Sequence, residues 1–469
     1  MMTSVKTRKN VLLKSVFACS VLLFMVWLML PTRSPLDLGQ AHHTNNNSNN
    51  ECTKPFPGKP LKQYAVMIDA GSSGSRVHVY RFNYCQEEPQ LEKEVLFHMI
   101  KPGLSSYKDD PVAAAHSLDE LMEMAVQNVP PELHHCTPIA VKATAGLRLL
   151  GKELSDKILI QVRAHLTTKY PFPIAGEDGV QIMEGSDEGV YAWITVNYLL
   201  GKLNPSQRGN SAAIFDLGGA STQIVFEPIF PTTHEKMADG DHRYQLDYGK
   251  DEPYALYQHS YLGFGLNEAR KHIKESAIHA WKDVALKTHQ VHHPCLPANH
   301  TETITYESTD ITLIGTGAGA SQCRAVIEKL FGKDQSCTLS PCAFNGVYQP
   351  PLADTFKLRD LYVFSYFFDL SQPLGMPLEF SVGELGTLAS DVCDGRAAEL
   401  LKHVPGVDTV LASPDLCLEL TYAYSLLRTG YDMAQERLVK TAQKIQGVET
   451  GWCLGASIAM IDGYQLCKA

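Results

Sequence analysis

Two well-separated segments of the chain repeat the same pattern of residue types. Residues 64–68 form a short apolar run that leads into Asp69 and a glycine- and serine-rich turn, and residues 77–82 then alternate between apolar and polar side chains. Residues 212–215 lead in the same way into Asp216, a second glycine-rich turn and another apolar run. Because short apolar runs bounded by glycine are typical of buried strands, each segment is predicted to be strand, tight turn, strand.

Both turns have the composition that binds phosphate. Glycine lets the backbone approach a ligand closely, and successive N–H groups in a turn form a concave site for an anion. One such turn alone would more simply be an ordinary hairpin, but the repeat favours two turns that hold one polyphosphate. The candidate residues are Gly71, Ser72, Ser73, Gly74, Ser75, Gly218, Gly219, Ala220, Ser221 and Thr222.

An aspartate stands at the end of the strand before each turn. Asp69 and Asp216 would therefore lie beside the phosphates, where carboxylates can hold a divalent cation. Mg²⁺ keeps most of its water, so we expect the two side chains to contact it through water molecules.

Two further segments lie between the repeats. Residues 139–141 are strand-like and lead to Thr144, a candidate phosphate ligand, and to Arg148, which either neutralises a phosphate or caps local structure. Residues 190–200 predict a mainly apolar helix with Ser186 as its N-cap. Asp187 and Glu188 then fall in the first turn, where acids commonly offset the helix dipole. The functional alternative is that one of them polarises a water molecule for attack on phosphorus.

The N-terminal segment indicates the compartment. Residues 11–30 are apolar apart from one lysine and two serines, and basic residues precede them. This pattern predicts a membrane-spanning signal anchor with residues 1–10 in the cytosol, whereas the alternative, a cleaved signal peptide, lacks small residues at its end. Residues 31–60, rich in proline and asparagine, are predicted to be a luminal stem.

Charge and cysteine content narrow the classes of function. The net charge of −10 excludes a protein that binds nucleic acid through a basic surface. The twelve cysteines contain no C-x-x-C spacing, so zinc ribbons and thioredoxin-type sites are not expected. In an oxidising lumen most of them should form disulfides, but spacing alone leaves the pairing open.

Taken together, four segments resemble the apyrase-conserved regions of the nucleoside triphosphate diphosphohydrolase family. They are residues 69–76, 142–149, 185–193 and 216–223. The resemblance implies an α/β fold of two lobes, of the actin, Hsp70 and sugar-kinase (ribonuclease H-like) type, with the nucleotide in the cleft between them. Lobe I would span 61–184 and lobe II 185–442, and residues 443–469 would return to lobe I.

The resemblance also implies residue roles. Glu188 matches the catalytic base, Ser221 and Gln223 match residues that position the attacking water, and Asp69 and Asp216 match the acids that hold hydrated Ca²⁺, Mg²⁺ or Mn²⁺. Tyr366 and Phe367 lie where base-stacking aromatic residues occur, although packing in the core is an equal alternative. The implied disulfides are Cys295–Cys323, Cys337–Cys342 and Cys393–Cys417.

Within the family, the layout is most similar to the signal-anchored guanosine diphosphatases of the Golgi. This likeness implies a single-pass type II Golgi membrane protein that hydrolyses nucleoside diphosphates, chiefly GDP, in the lumen. The GMP formed would leave in exchange for a GDP-sugar and so support glycosylation. The alternatives are a broad UDP-hydrolysing enzyme of the secretory pathway and a non-hydrolytic nucleotide-binding module. The sequence does not indicate an oligomeric state.

Overall fold

A computed structural model describes residues 52–232, 236–248, 252–462 and 467 of the chain. The predicted cytosolic tail, the predicted membrane segment and most of the predicted stem lie outside these residues. Within the described part, no helix has both the length and the apolar composition needed to span a bilayer. The compact body begins at Cys52, inside the predicted stem, because Cys52 is disulfide-bonded to Cys85 and the N–H of Phe56 donates to the carbonyl of Tyr84.

The first lobe is built on a five-stranded sheet. Its strands are β1 (Lys62–Ala70), β2 (Ser75–Asn83), β3 (Gln90–Ile100), β4 (Ile139–Ala143) and β5 (Val180–Ile182). They lie in the order β3-β2-β1-β4-β5, with β1 antiparallel to β2 and parallel to β4. The helices of this lobe are α1 (Pro111–His116), α2 (Asp119–Asn128), α3 (Ala145–Leu150) and α4 (Lys152–Lys169).

The second lobe contains a seven-stranded sheet and a small three-stranded one. The strands are β6 (Ala213–Leu217), β7 (Ser221–Phe226), β8 (Arg243–Leu246), β9 (Tyr254–Leu262), β10 (Gln290–His293), β11 (Thr301–Tyr306), β12 (Thr309–Gly315), β13 (Leu361–Ser365), β14 (Glu379–Ser381) and β15 (Leu438–Thr441). The large sheet has the order β14-β15-β13-β6-β7-β9-β8 and the small one β10-β12-β11. A strand pair, β16 (Lys444–Ile445) and β17 (Val448–Glu449), follows.

The remaining helices and turns connect these strands. The helices are α5 (Gly185–Leu199), α6 (Leu266–Ala280), α7 (Lys282–Thr288), α8 (Ala320–Leu330), α9 (Leu352–Thr355), α10 (Tyr366–Ser371), α11 (Val382–Cys393), α12 (Ala397–Leu400), α13 (Val407–Leu411), α14 (Leu416–Ser425) and α15 (Cys453–Asp462). Short 3₁₀ turns lie at Leu104–Tyr107, Pro131–Cys136, Glu177–Gly179, Pro205–Gln207 and Gln372–Leu374, and a π-helical turn lies at Leu426–Gly430.

The two large sheets share one plan, which accounts for the repeated sequence pattern. In the first, the hairpin β1–β2 adds β3 on one side, and β4 pairs in parallel with β1 on the other. In the second, the hairpin β6–β7 adds β9 on one side, and β13 pairs in parallel with β6 on the other. The two predicted phosphate turns are therefore the hairpin loops at the carboxyl ends of the equivalent strands β1 and β6.

The C-terminal segment packs beside the first sheet. Helix α15 contacts α5 and β1, and Cys467 is disulfide-bonded to Cys136 immediately before β4. Gly455 allows the close approach of α15 to α5, because a Cβ there would lie 2.2 Å from the carbonyl oxygen of Tyr191. The boundaries expected for the two lobes stay predictions, and this packing supports the expected return of the chain to lobe I.

The disulfides implied by the family resemblance are confirmed. Cys295–Cys323, Cys337–Cys342 and Cys393–Cys417 are all formed, beside the two bonds already described. In the described part of the chain, this leaves the buried Cys453 as a free thiol.

Candidate active site

The two hairpin loops open into one cleft with a cavity volume of about 250 Å³. Residues from both sheets, from the starts of α3 and α5, and from the C-terminal segment line it. It therefore brings together most of the candidate residues from distant parts of the chain: Asp69, Gly71, Ser72, Ser73, Thr144, Glu188, Asp216, Gly218, Gly219, Ala220, Ser221 and Tyr366.

The two loops touch each other across the cleft. A Cβ atom at Gly219 would lie 2.4 Å from the hydroxyl oxygen of Ser72, far inside van der Waals contact. Only glycine permits this approach, and a ligand seated here meets both loops at once. This proximity is the arrangement that a two-sided phosphate site requires.

Hydrogen bonds from the second lobe orient the loop that contains Gly219. The carbonyl groups of Gly218, Gly219 and Ala220 accept hydrogen bonds from the N–H groups of Leu266, Asn267 and Gly263, respectively. In a trans peptide the N–H points away from the C=O of the same unit. The loop therefore turns its carbonyl oxygens towards the start of α6 and the turn before it, and directs the opposite N–H groups away from them, as anion binding requires.

The two strand-end aspartates each keep a buried, unpartnered oxygen. Oδ1 of Asp69 and Oδ1 of Asp216 are buried and accept no hydrogen bond from protein, while Oδ2 of Asp69 pairs with Arg76 at 3.1 Å. Burial raises the pKa of Asp69, and it raises the pKa of Asp216 to about 6 although Ser365 donates a hydrogen bond to that carboxylate. Buried carboxylate oxygens without partners fit a divalent cation or its water ligands.

Glu188 lies in the first turn of α5 and faces the cleft. Its carboxylate accepts a hydrogen bond from the Nη2 of Arg148, and both side chains are largely buried. Burial raises the pKa of Glu188 to about 8; Arg148 acts against this shift, and Asp216 and Asp69 add to it. A carboxylate with a pKa near neutrality is suited to accept a proton from water.

The helix begins earlier than the sequence predicted. Glu184, not Ser186, is the N-cap of α5, and no side chain caps the helix. Position 185 has no room for a side chain, because a Cβ there would lie 2.5 Å from both Arg148 and the side chain of Ser260. Glycine at the first position of α5 therefore lets Arg148 pass close to the helix and reach Glu188.

Ser221 and Gln223 lie at different distances from the cleft surface. Ser221 lines the cleft, whereas Gln223 is buried behind it and donates from Nε2 to the Oγ of Ser221 at 2.7 Å and of Ser260 at 2.9 Å. Because Ser221 accepts this bond, its own hydroxyl hydrogen is left to donate. Ser260, which lies on β9, has no motif of its own and was missed in the sequence.

Besides Gln223, the structure places four candidate residues outside the cleft lining. Ser75 and Thr222 are buried within strands, and the Oγ1 of Thr222 donates to the carbonyl of Asp216. Gly74 packs against the backbone of Ile100. Phe367 belongs to the core of the second lobe and cannot stack on a base in the cleft, so its base-binding assignment is wrong; Phe368 lines the cleft instead.

Several residues of the cleft had no role assigned from the sequence. Arg76 and Lys101 supply positive charge, and Asp369, Glu449 and Cys453 come from the second lobe and the C-terminal segment. Arg76 is the last residue of the first family-like segment, 69–76, so the sequence held a signal for it. Lys101, Asp369 and Glu449 are isolated polar residues, and only the tertiary fold brings them here.

Comparison with known proteins identifies the family. A sequence model of the GDA1/CD39 (nucleoside phosphatase) family matches residues 59–468. The chain belongs to this family. The resemblance predicted from the four motifs is thereby confirmed, and so is the expectation of a hydrolytic enzyme.

Relatives of this GDA1/CD39 member are similar over most of their length. A guanosine-diphosphatase of Saccharomyces cerevisiae is 48% identical over 85% of this chain and 80% of its own. A probable guanosine-diphosphatase of Aspergillus fumigatus is 46% identical over 97% of this chain and 96% of its own length. Nucleoside diphosphate phosphatase ENTPD5 of Homo sapiens is 33% identical over 85% of this chain and 87% of its own length.

A solved structure confirms the predicted two-lobed α/β fold. Nucleoside triphosphate hydrolases from Neospora caninum superpose with a TM-score of 0.56 over 84% of this chain and 92% of theirs, at 15% sequence identity. At that identity the likeness concerns the fold alone.

Proposed function

We propose that this protein hydrolyses nucleoside diphosphates, chiefly GDP, to nucleoside monophosphate and phosphate. The observation that carries the proposal is the cleft itself, in which two phosphate loops in mutual contact share one cavity with the carboxylate of Glu188. The guanosine-diphosphatase names of relatives at 46–48% identity support the same substrate class.

Glu188 is the general base in this proposal. It accepts a proton from water as the water oxygen bonds to the terminal phosphorus, and the bond from that phosphorus to the bridging oxygen breaks, which leaves a nucleoside monophosphate. Ser221 holds the attacking water, and Gln223 fixes the hydroxyl of Ser221 from behind. Gly71, Ser72, Ser73, Thr144 and Gly219 surround the phosphates, where stabilising the transferred group contributes most to phosphoryl transfer.

Asp69 and Asp216 would hold a divalent cation through water, since each has a buried oxygen free for that purpose. Enzymes of this family depend on such a cation, which neutralises charge on the phosphate groups. The geometry is compatible with Ca²⁺, Mg²⁺ and Mn²⁺, so the activity assay includes a titration with each cation.

We further propose a luminal location in the Golgi, with the N-terminal segment 11–30 as the membrane anchor and GMP–GDP-sugar exchange as the physiological context. The five disulfides of the described residues support folding in an oxidising compartment. Microscopy of the full-length protein against Golgi and endoplasmic-reticulum markers tests the location, and protease protection in sealed vesicles tests the topology.

The activity is tested by phosphate release from GDP, UDP, ADP and GTP by the purified full-length protein, with and without a chelator. We expect release from GDP that stops with the chelator and returns with added cation. A higher rate with UDP would favour the second candidate, a broad nucleoside diphosphatase, to which the similarity to the human nucleoside diphosphate phosphatase points. Tight nucleotide binding without any phosphate release would show a non-hydrolytic module instead.

A further inference from the structure

A short turn of the second lobe brings one carboxylate into the cleft that the proposed chemistry does not use. Strand β13 ends at Ser365, whose φ of 57° is unusual for a residue other than glycine, and α10 follows directly. Ser365 donates to Asp216, so the turn starts beside the proposed cation site. Tyr366, Phe368 and Asp369 then line the cleft from α10.

Asp369 differs from the other carboxylates of the second lobe that face the cleft. It is exposed to the cavity, and among the described residues its side chain forms no hydrogen bond or ion pair. The positive charges of Arg76 and Lys101 act on its carboxylate, but neither residue forms an ion pair with it. Enough protein surrounds it for burial to raise its pKa.

A partner would stabilise a carboxylate in this position when substrate binds. A nucleoside diphosphate brings several negative charges into the cleft, and an acid beside them is repelled unless it is neutralised or hydrogen-bonded. Arg148 donates a hydrogen bond to Glu188. Arg76 pairs with Asp69, and Ser365 donates to Asp216. The proposed cation would neutralise both aspartates further. Asp369 has no such donor among the described residues, and an N–H group of the substrate can supply one.

The neighbours of Asp369 indicate which part of the substrate supplies that donor. Tyr366 and Phe368 are aromatic and partly exposed to the same cavity, and aromatic rings are surfaces on which bases stack. An ionised carboxylate only accepts hydrogen bonds. It therefore suits a base edge that carries adjacent N–H donors.

We propose that Asp369 recognises guanine by accepting hydrogen bonds from its N1–H and N2–H groups. This assignment rests on the proposed function and explains the base preference that the phosphate loops cannot supply. Hypoxanthine and uracil each offer a single ring N–H at the corresponding edge. Adenine and cytosine offer an unprotonated ring nitrogen, which a carboxylate repels. The expected order of substrates is GDP, then IDP and UDP, then ADP and CDP.

The test compares the wild-type protein with Asp369→Asn and Asp369→Ala on these five diphosphates. For Asp369→Asn, kcat/KM with GDP should fall by about tenfold to a hundredfold, as a lost bidentate base contact predicts. The value of kcat/KM should fall less with IDP and UDP than with GDP. The ratio of kcat/KM with ADP to that with GDP should rise, because an amide pairs with the adenine edge. Asp354→Asn, an exposed aspartate on α9, is the matched control and should change nothing.

Binding of GMP and AMP, measured by calorimetry, separates this inference from the proposed function. If Asp369→Asn binds GMP more weakly than wild type and binds AMP equally or more tightly, base recognition is supported even if no phosphate is released. An unchanged GMP-to-AMP ratio overturns it even in an active enzyme. An equal loss with every base also overturns it, because the contact would then be with the ribose. Melting temperatures of the variants check that each is folded.

Discussion

Arg148 donates a hydrogen bond to the carboxylate of Glu188 and so joins the end of α3 to the first turn of α5. The two residues come from two different segments among the four that resemble the family motifs, and both side chains are largely buried. The pair fixes the orientation of the proposed base and keeps part of it ionised, although burial raises its pKa to about 8. Substitution of either residue of this pair has a predictable effect on activity.

Replacing the base should abolish most turnover. In Glu188→Gln the amide retains the shape but cannot accept a proton, so kcat with GDP should fall by about 10²–10⁴-fold. The neighbouring Asp187 provides the control, because it is close in sequence but lies outside the cleft lining. Asp187→Asn should keep near-normal turnover, and normal turnover by a folded Glu188→Gln protein would exclude Glu188 as the base.

Removing the partner should shift the pH profile. Glu188 works in its ionised form, so the rate rises with pH through its pKa, and Arg148 lowers that pKa. In Arg148→Met the pKa therefore rises further, and the acidic limb of kcat/KM against pH should move to higher pH. The profiles are compared at one fixed cation concentration. Arg148→Lys retains the charge and should restore part of the shift, whereas a profile that does not move would show that Arg148 has no effect on the base.

The contact between the two loops can be tested at Gly219. A methyl group there meets the hydroxyl of Ser72, so Gly219→Ala should displace one loop and raise KM, lowering kcat/KM by about tenfold or more through a lost phosphate contact. In a Ser72→Ala background the methyl group has no hydroxyl to meet, and the same substitution should cost less. Strict additivity of the two changes would contradict the proposed contact.

The parts of the site that follow from local sequence were predictable. Asp69, Asp216 and the loops after them are adjacent in sequence to strands with a clear apolar pattern, so their type and position could be predicted from the chain alone. The repeat further indicated that the loops belong to equivalent hairpins, and the shared plan of the two sheets agrees with this.

The parts that depend on side-chain direction or on tertiary contacts were not predictable. Phe367 and Phe368 are both apolar, and the orientation of a six-residue helix decides which of them faces the cleft. The close approach between Gly185, at the start of α5, and Arg148 involves residues far apart in sequence. Ser260 and Asp369 have no motif, and only the pairing of their strands or the course of the chain brings them to the site.

A last prediction concerns stability and lies away from the cleft, at Asp119. This aspartate begins α2 and accepts hydrogen bonds from His165 at 2.6 Å and Tyr170 at 2.6 Å, while Lys169 and His116 contact its other oxygen at 2.9 Å and 3.1 Å. Burial alone would raise its pKa, but these donors, led by His165, lower the pKa well below its usual range. The contacts therefore stabilise the folded state in which the carboxylate is ionised.

The sign of the pH dependence follows from that lowered pKa. The stabilisation by Asp119 is fully present above the unfolded-state pKa of about 3.9 and is lost as the pH falls through the folded-state value. Asp119→Asn should lower the free energy of unfolding by about 1–3 kcal/mol at pH 7, and the difference from wild type should narrow below about pH 4. Urea denaturation across this pH range measures it. Asp156→Asn, which removes an exposed pair with Lys152, should cost less than about 0.5 kcal/mol, and an equal effect of both substitutions would contradict the special role of Asp119.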